Sequence, residues 1–126
     1  MTMSTQHLLC ALDTIADGGA CVVDAPLASG DTPVVLVRRG VRVWGYLNRC
    51  PHFSLRMDHR AGHINTYKGQ VLMCAHHSAL FRFEDGHCIE GPCAGATLTP
   101  VPVRVVGDAV HLTDQEPRPN TSLEGP

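Results

Sequence analysis

Three times along this chain a turn-forming residue pair stands between two short strand-like runs. Arg39-Gly40 separates residues 34–37 from 41–44, Asp85-Gly86 separates 81–83 from 87–89, and Gly107-Asp108 separates 103–106 from 109–111. Asp-Gly and Gly-Asp place residues that tolerate positive φ where a tight hairpin needs them, so each pair predicts two antiparallel strands. The same alternation of apolar runs and turn residues predicts strands at 6–11, 20–24, 33–38, 41–47, 70–73, 80–83, 87–89, 101–106 and 109–113. Their β-branched content suits a pleated, half-buried surface. A single helical turn is expected at 13–17, before Gly18-Gly19. No segment has the period of a long amphipathic helix, and no internal repeat is visible. The expected class is all-β: an antiparallel sandwich or small barrel.

At 126 residues and 13.6 kDa the chain has the size of one domain. That is too short for an oxidoreductase carrying its own nicotinamide domain. Hydrophobic residues make up 44%, enough for a core, while 17% charged residues and a net charge of -2 argue against a basic nucleic-acid binder or a highly charged disordered chain. No apolar run approaches the length of a membrane span. Residues 1–10 have no basic residue ahead of their apolar patch, so a secretory signal is not expected and the expected compartment is the reducing cytoplasm. Residues 1–115 read as the domain. Residues 116–126, EPRPNTSLEGP, read as a mobile tail, whose Asn120-Thr121-Ser122 means nothing as a glycosylation pattern without export.

Six Cys and eight His are the conspicuous counts. In a reducing compartment such cysteines are metal ligands or small buried hydrophobes rather than disulfides. Cys10 and Cys21 lie inside apolar runs and read as core. The stretch 48–68 is long, polar and weakly periodic, and a loop of that length in a compact domain usually serves a function. Cys50-Pro51-His52 opens it, and Cys74-Ala75-His76-His77 follows it. Each cluster falls where a strand gives way to a loop, so two adjacent loops can offer two thiolates and two imidazoles to one soft or borderline metal centre. Either spacing alone is weak evidence in so His-rich a chain. The surroundings add specificity: residues 70–73 deliver Cys74 from a strand, Phe81 and the Asp85-Gly86 turn follow, and Gly91-Pro92 forms a rigid turn able to cover the site as a third loop.

Together these residues resemble the Rieske-type [2Fe–2S] ferredoxins, whose pattern is C-x-H, a spacer, C-x-x-H, a Phe, a Gly turn and Gly-Pro. Here it reads CPH, the spacer 53–73, CAHH, Phe81, Gly86 and Gly91-Pro92, and the likeness runs from Leu8 to about Thr113 through VVLVRRGVRVWGYLNRCPH. The resemblance implies a cluster lobe at about 49–95, with Cys50 and Cys74 on one iron and His52 and His77 on the other, nearer the surface. His76 makes a competing C-x-H with Cys74, but the family spacing selects His77. It further implies a one-electron carrier, loaded by a flavin- or iron–sulfur-containing reductase and unloaded by an oxygenase or similar acceptor. No nicotinamide or flavin fingerprint and no non-haem iron triad is present, so turnover of a substrate by the chain alone is not expected. Neither a nucleic-acid nor a membrane partner is expected.

The mixed ligand set has a physical rationale. Two ferric ions, two sulfides and two thiolates sum to zero charge, and neutral imidazoles add nothing. Adding an electron to a neutral core costs less than adding one to the dianion that four thiolates would give, so the potential rises. High-potential relatives add a disulfide between the two loops and hydroxyl donors to the cluster sulfurs. Leu55 and His76 stand where the extra cysteines would be, and Ala79 and Phe81 where the Ser and Tyr would be, so the low end of the range is expected.

The sequence also departs from the pattern. The spacer is longer than usual, and Phe53-Ser54-Leu55 stands where a small Gly normally follows the first motif. Asp58, His59 and His63 fall in this insert and read as a solvated loop rather than a zinc-binding helix. Arg49, Arg56, Arg60 and Lys68 make it basic, with Glu84, Asp85 and Glu90 beyond the second motif. A charged docking face and an ordinary solvated surface are both open readings. Cys88 and Cys93 flank Gly91-Pro92 and read as thiols. Two alternatives stay open: a small Rieske-like subunit of a larger reductase of the nitrite reductase type, and a structural zinc protein built on the same ligands.

Overall fold

The computed structural model describes residues 7–27, 30–49, 57–58, 64–74, 79–91 and 95–113. Among the described residues eleven strands run in chain order: β1 (His7–Ala11), β2 (Ala20–Leu27), β3 (Gly30–Arg39), β4 (Arg42–Leu47), β5 (Asn65–Tyr67), β6 (Val71–Cys74), β7 (Ala79–Arg82), β8 (Cys88–Glu90), β9 (Pro100–Val101), β10 (Val103–Val106) and β11 (Ala109–Leu112). Among the described residues the one helical element is the 3-10 turn Leu12–Thr14, which overlaps the turn expected at 13–17 but begins one residue earlier and ends at Thr14. Every pairing is antiparallel, in three sheets ordered β1-β11-β10, β2-β3-β4-β9 and β5-β6-β7-β8. The all-β expectation holds. The Gly107-Asp108 turn falls where the sequence puts it, with Val106 opposite Ala109, while the first turn is Gly40-Val41, one residue later than expected, because Arg39 pairs with Arg42.

β3 organises the molecule. Val34, Val35, Leu36 and Val37 are all fully buried. Successive side chains of a strand point to opposite faces, so such a run requires cover on both sides. Val34 and Leu36 join Leu12, Ile15, Ala25, Val101, Val110 and Leu112 in one core. Val35 and Val37 join Tyr46, Leu72, Phe81, Phe83 and Leu98 in the other. The β2-β3-β4-β9 sheet is thus a shared wall. The β1-β11-β10 sheet closes one side, and the β5-β6-β7-β8 sheet, the counterpart of the expected cluster lobe, closes the other. The expectation of half-buried strands fails at β3, and the physical reason is this second layer.

Three further differences from the sequence reading have local causes. The run 101–106 is two strands: Val101 pairs with Gly45 in one sheet and Val103 with Leu112 in another. Pro102, between them, has no N–H to continue a ladder, and the chain changes sheets there. The stretch 48–68 is not irregular throughout, because β5 pairs with β6 through Thr66 and Leu72. β2 runs to Leu27, beyond the expected 24, because the long β2–β3 hairpin pairs in register out to Leu27 and Gly30. Cys10 and Cys21 pack against the first core as expected, with their thiols in hydrogen-bonding contact, and burial pushes Cys21 up to about 12. The tail 116–126 lies outside the described residues.

Candidate metal centre

Cys74 is the last residue of β6 and faces Ala79, the first residue of β7. The connection between them is 75–78, which carries His76 and His77. Cys74 is fully buried, in the same core cluster as Val35, Leu72 and Phe81. A buried thiol at the end of a strand, three residues before His77 in the sequence, suits a soft-metal ligand. Cys50, His52, His76 and His77 themselves lie outside the described residues, as do Cys93, His59 and His63.

The stems of the other two loops meet this hairpin. β8 ends at Glu90, and Gly91 lies directly on β7: a Cβ built on Gly91 would fall 2.7 Å from Ala79 Cα. Gly91 therefore starts the segment that follows β8 directly against the first residue of β7, while Pro92 itself lies outside the described residues. The first loop leaves β4 through Asn48 and returns at Met57 and Asp58. All three are buried, and Met57 belongs to the core cluster that holds Cys74 and Ala79. The Asn48 side chain joins both ends. Its Oδ1 accepts the Met57 N–H at 2.7 Å, and its Nδ2 donates to Asp58 Oδ1 at 3.0 Å. Asp58 is thus not part of a solvated loop: an apolar Met and a carboxylate with a buried partner turn the chain inward before the insert continues. Nothing in the sequence singled out Asn48 or Met57, and Asp58 read only as part of a solvated loop. A lone Asn before a Cys is no signal, because Asn is common in exposed turns.

The lobe is tied to the wall behind it. Tyr46 Oη donates to the Phe83 carbonyl at 2.6 Å, and burial together with the Asp85 and Glu84 charges pushes the Tyr46 phenol far above its ordinary value, so it stays a donor. Arg39 Nε donates to the Gly69 carbonyl at 3.2 Å, its guanidinium lies 5.4 Å from the Trp44 ring and 5.3 Å from the Phe83 ring, and it pairs with Glu84 at 3.4 Å. Thr66 Oγ1 donates to the Gly18 carbonyl at 2.9 Å. Replacing Tyr46 with Phe should lower stability by about 1–2 kcal/mol, since the Phe83 carbonyl loses a buried donor; urea denaturation checks this, and an unchanged midpoint would contradict it.

Two acids beyond the second motif are engaged within the fold. Asp85 takes a two-pronged hydrogen bond from Arg82 and one from the His87 N–H, which hold its carboxyl below the usual range. Glu84 is held down by its own backbone N–H and by Arg39. Two of the three acids beyond the second motif thus already have cationic partners within the fold. Cys88 is buried and its thiol contacts the Glu90 carbonyl at 3.3 Å.

Residues 6–115 match the family model described as the Rieske [2Fe–2S] domain. The chain belongs to the Rieske family. Its cofactor is a Rieske-type [2Fe–2S] cluster and its chemistry is iron–sulfur electron transfer. Solved structures show the same fold at low identity. The terminal oxygenase of carbazole 1,9a-dioxygenase from Novosphingobium sp. KA1 matches with a TM-score of 0.68 and 20% identity, over 90% of this chain and 31% of the oxygenase. The corresponding oxygenase from Nocardioides aromaticivorans IC177 matches with a TM-score of 0.67, 20% identity, 90% of this chain and 31% of that one. A chain in the complex of reduced oxygenase and oxidized ferredoxin of carbazole 1,9a-dioxygenase matches with a TM-score of 0.70 and 20% identity, over 90% of this chain and 97% of that one. The chain thus spans about a third of the oxygenases and nearly all of the shorter one. No curated protein sequence matches. Among the described residues no helix is long and apolar enough to cross a membrane.

Proposed function

We propose that this chain is a one-electron carrier that receives electrons from a flavin- or iron–sulfur-containing reductase and delivers them to an oxygenase or a similar acceptor. Cys50 and Cys74 would hold one iron of the cluster, and His52 and His77 the other. When bound, such a cluster supplies one-electron transfer with no bond made to a substrate. The chain's own residues supply its setting. Cys74 offers a thiol from a dry strand end, Gly91 lets a third loop approach to backbone distance, and Asn48 brackets the first loop. The observation that best supports this reading is the match of residues 6–115 to the Rieske [2Fe–2S] domain, a fold shared with a chain of an oxygenase–ferredoxin complex.

Ala79 and Phe81 are fully buried and carry no hydroxyl, so neither can donate to a cluster sulfur. The potential is expected near the low end of the Rieske range, which spans roughly -150 to +300 mV. A measured value above about +100 mV would contradict this account of the surroundings.

The test of the function uses the full chain reconstituted with iron and sulfide. A brown protein with a rhombic EPR signal on reduction, which takes up one electron per chain and is required for product formation when an NADH-dependent flavin reductase is mixed with an aromatic-ring oxygenase, supports the reading. Product formation at the same rate without the chain would refute delivery to that acceptor. A colourless protein with stoichiometric zinc would refute the cluster.

A further inference from the structure

Asn48 and Asp58 are the buried polar residues of the described core, at 4% and 6% exposure, and they bond to each other across the segment that carries Cys50 and His52. Burying an amide against a carboxylate adds little stability compared with an apolar pair of similar size, because the desolvation of both groups offsets their attraction. What such a pair does supply is a fixed register. One Asn side chain uses its carbonyl for the Met57 N–H and its amide for Asp58, so both ends of segment 49–56 are held to one point. Met57, fully buried beside Cys74 and Ala79 in the core, fixes that point relative to the second loop.

We infer that Asn48, through its bonds to Met57 and Asp58, is a positioning residue that holds together the two ends of the segment carrying Cys50 and His52 for cluster binding. This rests on the reading of Cys50 and His52 as ligands. The sequence has a bulky Phe53 where the family pattern has a small Gly, so a hold on the two ends of the segment matters more here. Without the Asn48 bonds, closing the loop would have to be driven by the cluster itself, and ordering the segment at that moment weakens binding.

The test compares cluster-loaded full-length variants. Asn48→Ala should lose its cluster to a chelator on the order of ten-fold faster than the parent, in line with other residues that orient ligands, and its EPR lines should shift or broaden. The exchanged pair Asn48→Asp with Asp58→Asn keeps one carboxylate, one amide and both bonds, and should recover most of the parent's lifetime and line shape. Tyr46→Phe serves as a control, destabilised at a distance, that should keep the parent EPR line shape. Parent-like lifetime and spectrum in Asn48→Ala would overturn the inference. So would an exchanged pair no better than Asn48→Ala, a comparison that stands even if the single variant fails to fold. Cys50→Ala separates the two ideas: if it keeps the rhombic signal, the ligand reading itself fails; if it loses the signal while Asn48→Ala behaves like the parent, only the positioning role fails.

Discussion

Alanine at Cys74 should leave the purified, reconstituted chain without its brown colour, its iron content near zero and its rhombic EPR signal absent. The same result is expected for alanine at Cys50, His52 or His77, whereas His76→Ala should keep colour and signal. The expectation at Cys74 has the firmest footing, because that thiol is fully buried at the end of β6, opposite Ala79, where the chain turns into the segment bearing both histidines. A Rieske cluster has four protein ligands, and removing one leaves an iron short of a ligand. Iron and acid-labile sulfide analysis, with EPR after reduction, measures the outcome. Loss of the signal in His76→Ala together with its survival in His77→Ala would reverse the histidine assignment.

Gly91→Ala should destabilise the fold by about 3 kcal/mol, combining backbone strain with overpacking. Its φ is +112°, and the new Cβ would lie 2.7 Å from Ala79 Cα and 3.0 Å from Ala79 Cβ. The obstacle is backbone, so no side-chain rotation relieves it, and β7 must move away from the third loop. Gly40→Ala provides the contrast. Gly40 has φ +64° but no atom within 4 Å of an added Cβ, so only the strain remains, about 1 kcal/mol. Urea denaturation of both variants isolates the close approach as the difference between them. Equal losses would mean that Gly91 is needed only for its backbone angle.

Much of the architecture is legible in the sequence because it is encoded locally. Turn pairs such as Gly107-Asp108 fix hairpins without reference to anything distant, and all three hairpins form. What escapes is what depends on a partner layer. The run Val34-Val35-Leu36-Val37 announces burial but not that its two faces serve different cores. The exchange of sheets at Pro102 follows from a missing N–H, but the sequence reading merged β9 and β10 because Val101 and Val103 are both apolar. β5, with the sequence Asn-Thr-Tyr, has no strand signal and is ordered by pairing with β6. At the site, the Cys/His motifs were visible as spacing, and the stems of their loops converge at Cys74, Ala79, Gly91 and Met57. The Asn48–Asp58 pair was invisible, because polar residues are normally outside and only tertiary burial reveals the exception.

The wall that β3 and β4 lend to the second core also limits how this protein can be taken apart. Leu72, Phe81 and Phe83 are dry because Val35, Val37 and Tyr46 cover them. An excised fragment spanning only β5 to β8 would turn those side chains toward water and should aggregate. A transplant of the redox module into another scaffold therefore has to bring the β3–β4 hairpin along with it.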